Sequence, residues 1–188
     1  LQDARAPERI GASALAVGLA GDLGSTKLLL KRLDDELPDD ARGHVALGLA
    51  LLGEQGAIEP LRALVARSKY HPELLRSCAI ALGILGDKDI VPQLAAMLVE
   101  ARSLASQSAI ASAFGFIGDH RAVEPLLAML ASPTATEKAR AFAAVALGNV
   151  ADKEDWPWNA KIALGLNYRA ATGTLTDPLS ASGVLDIL

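Results

Sequence analysis

The sequence predicts an all-α solenoid: a right-handed α-α superhelix of about five helical hairpins, closed by a C-terminal cap. Three observations carry this expectation. A glycine-acid pair recurs at Gly21-Asp22, Gly53-Glu54, Gly86-Asp87 and Gly118-Asp119, with Ala151-Asp152 in fifth place, at spacings of 32 or 33 residues. A fixed period of this length is the signature of stacked supersecondary units. Between the marks, apolar residues recur at three- and four-residue steps, the period of one helix face. Hydrophobic residues make up 51% of the chain but aromatic residues only 4%. Ala, Leu, Val and Ile therefore dominate, and such side chains suit helices packed close to one another.

Each unit reads as helix A, a tight turn and helix B. Three residues before the mark stand Gly18, Ala50, Gly83, Gly115 and Gly148, and one residue earlier Val17, Leu49, Leu82, Phe114 and Leu147. After the mark come Thr26, Ile58, Val91 and Val123, then Leu29, Leu61, Leu94 and Leu126, then Leu33, Val65, Leu98 and Leu130. Pro60, Pro92 and Pro125 fall where helix B begins, a place proline tolerates because the first-turn N–H has no intrahelical partner. In the third unit, helix A is expected over about Pro72 to Leu85 and helix B over about Ile90 to Glu100. Gly86 can take the left-handed conformation that ends a helix, and Asp87 can cap the next one. A glycine inside helix A costs about 1 kcal/mol against alanine. Its return in four units of five suggests a neighbouring helix that crosses too closely for a side chain. The units fall at about 7–36, 37–69, 70–101, 102–133 and 134–155, giving an array over 1–155 and a capping segment over 156–188.

The strings ALGILGDKDIVPQL (81–94) and AFGFIGDHRAVEPLL (113–127) resemble HEAT repeats. The match is closest to the short HEAT-like subtype first described in phycobilin lyases, and it covers about Pro7 to Asp155. The resemblance implies that each repeat buries the apolar face of the next. It also implies that the B helices line a concave, ligand-holding face.

The C-terminal segment departs from the repeat. The charged run Lys153-Glu154-Asp155 leads into Trp156-Pro157-Trp158, which holds both tryptophans of the chain. Ile162, Leu164, Leu166 and Tyr168 follow, and the chain ends on Gly183-Val184-Leu185-Asp186-Ile187-Leu188. A solenoid needs a cap to cover its last apolar face, and the tail is read as that cap. The competing reading makes Trp156 and Trp158 a binding site, since tryptophan is enriched at interfaces.

Several chemistries are disfavoured. The net charge of −4 opposes a nucleic-acid binder, which usually shows a basic face. Cys78 is alone, so no intrachain disulfide or cysteine-based metal cluster can form. It sits in an apolar helical stretch and reads as a buried small hydrophobe. The chain begins at Leu1 rather than Met, which implies that upstream residues were removed or never included. The uncharged run from Ile10 to Gly21 looks like the core of a signal peptide, but it is in step with the repeats. No stretch approaches the roughly 20 apolar residues of a membrane helix. The string GDLGSTK (21–27) is similar to phosphate-binding loops, yet it lacks Walker spacing and the preceding strand that an actin-like turn needs. It is expected to be a turn in which Ser25 or Thr26 caps helix B. His44, His71 and His120 are scattered among helix A, a loop and a turn, without metal-ligand spacing. There is no nucleophile elbow. The acidic pairs Asp34-Asp35 and Asp39-Asp40 flank Pro38, as a solvated linker with capping duty would. No catalytic residue, metal site or cofactor is expected.

Two further rows recur. Arg9, Arg42, Arg76 and Arg140 stand ten to twelve residues before the mark, and the acids Asp22, Glu54, Asp87, Asp119 and Asp152 follow its first residue. Such residues often form ladders between stacked units. Outward positions of the B helices then define the candidate surface. These are Lys27, Lys31 and Arg32, then Glu59, Arg62 and Arg67, then Gln93 and Glu100, and finally Glu124. The stripe runs from basic to acidic, as a polypeptide partner of mixed charge would require. The function expected is a non-catalytic protein-interaction scaffold. The alternatives are a bilin-lyase-like chromophore binder or enzyme, which rests on the resemblance alone, and a nucleic-acid-binding HEAT-like protein.

Overall fold

The computed structural model describes residues 6–153. Among them are nine α-helices and no strand. The A helices are α1 (Pro7–Ala20), α3 (Asp39–Leu51), α5 (Pro72–Ile84), α7 (Leu104–Ile117) and α9 (Glu137–Asp152). The B helices are α2 (Thr26–Asp34), α4 (Ile58–Arg67), α6 (Val91–Glu100) and α8 (Val123–Ala131). The architecture is the all-α solenoid that the repeat period predicts. The third hairpin agrees with expectation to within one residue at its boundaries.

The repeated glycine ends each of the first four A helices by a single mechanism. Gly21, Gly53, Gly86 and Gly118 hold φ of 68°, 71°, 79° and 65°, a left-handed conformation that costs glycine nothing and an L side chain roughly 1–2 kcal/mol. At the third mark the Asp87 N–H donates to Leu82 O at 2.9 Å and the Gly86 N–H to Gly83 O at 3.1 Å, so orphan carbonyls are satisfied. The fifth mark behaves differently. It has Ala151 in place of glycine, and α9 runs straight through it to Asp152. Without a residue that enters the left-handed region cheaply, the helix ends two or three residues later than at the other marks, with Lys153 as its C-cap.

The acid after the glycine does not cap helix B directly. In three units a 3-10 turn intervenes, over Leu23–Ser25, Gln55–Ala57 and His120–Ala122. Asp22 accepts from Gly24 N at 3.0 Å and Glu54 from Gly56 N at 2.9 Å. In the GDLGSTK string Asp22 is therefore the cap, and Ser25 serves it: the Ser25 hydroxyl donates to Asp22 Oδ2 at 2.6 Å. The expected cap at Ser25 or Thr26 is not formed, because the 3-10 turn interposes three residues before α2.

The A helices make the closest backbone approaches, α1 on α3, α3 on α5, α5 on α7 and α7 on α9. Each B helix packs on the A helix of the next unit. The close crossing expected from the helical glycines is present. A Cβ at Gly48 would lie 2.5 Å from Ala14 O, and one at Gly18 would lie 2.8 Å from Gly48 O. Gly83 and Gly115 face Ile117 and Asn149 at 3.3 and 3.1 Å. In the second unit the contact glycine is Gly48, two residues before the expected position, which Ala50 fills. Between the two helix rows runs the core. Leu29, Leu61, Leu94 and Leu126, one residue per B helix in the same register, are all fully buried, with Leu49, Leu82 and Phe114 opposite them.

Candidate functional site

The acidic row divides between capping and bridging. Asp87 accepts from Asp89 N at 3.0 Å and also receives the Arg62 guanidinium of the preceding unit, Nε at 2.7 Å and Nη2 at 2.6 Å. This two-pronged pair is the strong form of a carboxylate–guanidinium contact. Asp87 is 6% exposed, and the guanidinium holds its carboxyl below the usual carboxylate range while Asp87 raises Arg62. Asp119 accepts from its own neighbour Arg121, which lowers its pKa. Arg121 Nη2 then donates across the unit boundary to Lys88 O at 2.7 Å. A ladder thus exists at the third and fourth units, built mainly from arginines on B helices and turns. In the expected arginine row, Arg42 donates to Asp35 O of the preceding unit, and Arg76 pairs within its helix with Glu73.

The outward face of the B helices has a simple register. Six, ten and thirteen residues after each mark, every position is exposed: Lys27, Lys31 and Asp34 on α2, Glu59, Ala63 and Ala66 on α4. The same positions on α6 are Pro92, Ala96 and Val99, and on α8 Glu124, Ala128 and Ala131. Steps of four and three place each trio on one helix face. Its middle and last positions are charged on the first unit and short and apolar on the other three, while Glu59 and Glu124 keep an acid at the first position of the second and fourth. At the ends of α6 and α8 the face deepens into an open cleft of about 400 Å³, with Leu98, Val99, Pro125 and Met129 among its walls.

A family model described as HEAT repeats matches residues 26–113 and 65–148, overlapping spans that together cover more than half of the chain. The chain belongs to the HEAT-repeat family. HEAT repeats generally mediate protein–protein interaction and are typically non-catalytic. No curated protein matches the sequence.

Within the HEAT array the sequence-selected residues separate into two groups. Lys27, Lys31, Glu59 and Glu124 lie on the exposed B-helix face, and Gln93 lies half-buried beside it. Arg32 and Arg62 are engaged internally. Arg32 Nη1 donates to Asp35 Oδ2 at 3.0 Å, and Arg62 holds Asp87 and, at 3.0 Å, Glu59. Glu100 pairs with Lys69 at 2.6 Å and Arg67 donates to Ala63 O in its own helix. Of these, only the Arg62–Asp87 and Lys69–Glu100 pairs join neighbouring units; the Arg32 and Arg67 contacts are local. Sequence reasoning also missed the alanines: Ala63, Ala66, Ala96 and Ala128 resemble core by type, and only their register relative to buried Leu61, Leu94 and Leu126 could have marked them as outward. Trp156 and Trp158, and with them the choice between cap and binding site, lie outside the described residues.

Chemistry-bearing groups are otherwise occupied or dispersed. Burial pushes the Cys78 thiol up to about 12. His71 Nδ1 lies 2.7 Å from Asp39 Oδ2 of the preceding unit, so Asp39 does more than decorate a linker. Among the described residues no three His, Cys, Asp or Glu side chains are grouped to hold a metal ion, and no helix is long and apolar enough to cross a membrane.

Proposed function

We propose that the array, residues 1–155, is a protein-interaction scaffold that docks a polypeptide on the face formed by its B helices, with residues 156–188 as its cap. The observation that carries this reading is the repeated exposure of one B-helix face, with Ala and Val in the middle and last turns of α4, α6 and α8. Short side chains there let another backbone approach at little entropic cost. Lys27 and Lys31 at one end and Glu59 and Glu124 further along supply charges that orient a partner of mixed sign. Arg32 and Arg62 support the array from beneath rather than touching the partner.

The test is affinity capture with mass spectrometry, comparing the native chain with Ala63→Arg plus Ala96→Arg and with Lys27→Glu plus Lys31→Glu. A polypeptide held by the native chain and lost from the alanine variant supports the B-helix face. Equal capture by all three overturns it. The bilin-lyase-like reading rests on the subtype resemblance, and would show instead as a visible absorbance change when a free bilin is added.

A further inference from the structure

The cleft at the ends of α6 and α8 is more than a shallow part of that face. Its volume of about 400 Å³ lies within the range of small-ligand sites, roughly 300–1,000 Å³. Leu98 and Met129 are nearly buried in its wall, and Val99, at 79% exposure, stands open beside them. Arg102, on the loop that joins α6 to α7, lines the same cleft and is exposed. Its guanidinium forms no hydrogen bond or ion pair among the described residues, in contrast to Arg62 and Arg121. Among the described residues no acidic side chain lines the cleft, and Glu100 nearby is taken by Lys69. Hydrogen bonds in the surrounding loops include Gln107 Nε2 to Ala101 O at 3.2 Å, and Ser132 Oγ with Thr134 Oγ1 at 3.0 Å.

An apolar wall and a single cation at one opening call for a ligand with an apolar group and an anion close together. In an extended peptide, neighbouring side chains point to opposite sides, so an acidic residue next to an apolar one presents the two badly. A chain terminus presents both from one residue. We propose that this cleft binds the C-terminal residue of a partner polypeptide, with an aliphatic side chain against Leu98, Val99 and Met129 and the α-carboxylate on Arg102. Capture of a terminal carboxylate is a recurring mode of peptide recognition. The assignment rests on the scaffold reading and narrows it to one end of the array and one end of the partner.

The probe is the tetrapeptide acetyl-Gly-Ser-Gly-Leu with a free carboxylate, titrated against its C-terminal amide and followed by NMR at the Val99 and Met129 methyl groups. The free acid is expected to give saturable shifts there and to bind roughly tenfold more tightly than the amide, as one charge-assisted contact provides. Arg102→Ala should reduce the acid to the level of the amide and leave the amide unchanged. Ala128→Trp, at an exposed position lining the cleft, should abolish binding of both without lowering the melting temperature. Equal affinity of acid and amide, an acid preference that survives Arg102→Ala, or shifts that never saturate would overturn the assignment. The scaffold reading is judged separately. A partner still lost on Ala63→Arg plus Ala96→Arg leaves it standing when the cleft fails, and a partner indifferent to those changes removes it.

Discussion

The A-helix row and the B-helix row are built from the same repeat, yet they meet their neighbours in opposite ways. In the A row the helices touch through backbone. The place a side chain would take at Gly48 is filled by Ala14 O at 2.5 Å. In the B row the helices stand further apart, each leaning on the next A helix. One consequence is an exposed face of alanines and an open cleft. The glycines set the close approach of the A row, while the B row keeps its alanines outward.

Substitution at the A row should give the largest effect. Gly48→Val places branched carbon against the α1 backbone, which cannot retreat as a flexible side chain could. The expected loss is about 3 kcal/mol or more, read by chemical denaturation. Gly148 provides the opposite result in the same row, since among the described residues a Cβ there meets nothing within 4 Å. Gly148→Ala should stabilise by about 0.5–1 kcal/mol through helix propensity. If both substitutions cost alike, the glycines are not there for close approach.

The Arg62–Asp87 pair sharpens the comparison on the B side, where a side-chain bridge spans the gap that backbone contact leaves. Arg62→Ala should cost about 2 kcal/mol, because it strands a buried carboxylate. Asp87→Asn should cost less, and a double-mutant cycle should show coupling between the two. The same pair fixes a pH dependence. The folded pKa of Asp87 lies below its unfolded one, so its contribution is present above the unfolded value, about 3.9. That contribution is lost as pH falls through the folded value. The native chain should lose stability below about pH 4 more steeply than Arg62→Ala does, as measured by thermal melts across pH 2–6.

The smallest expected effect is on chemistry. Cys78 is fully buried in the core between the rows, with its thiol raised to about 12. It should not react with a thiol reagent at pH 8 in the folded chain and should react fully in denaturant. Reaction of the folded chain would mean that the core opens locally.

Much of this molecule was legible before any coordinates. Gly21, Gly53, Gly86 and Gly118 announced the period, and the same residues end the helices, because only glycine takes that backbone at no cost. The leucines eight residues after each mark announced the core, because a solenoid buries the same register in every unit. Proline at Pro60, Pro92 and Pro125 announced the helix starts for an equally local reason. Those are properties of a residue and its near neighbours, which sequence records directly. Whether a charge is free is a property of what lies one unit away. Arg62 lies on a B helix and Arg102 just after one, and only the tertiary structure sends the first to Asp87 and leaves the second open at a cleft. The distance between neighbouring helices, which decides where glycine is needed and where alanine faces outward, likewise exists only once the units are stacked.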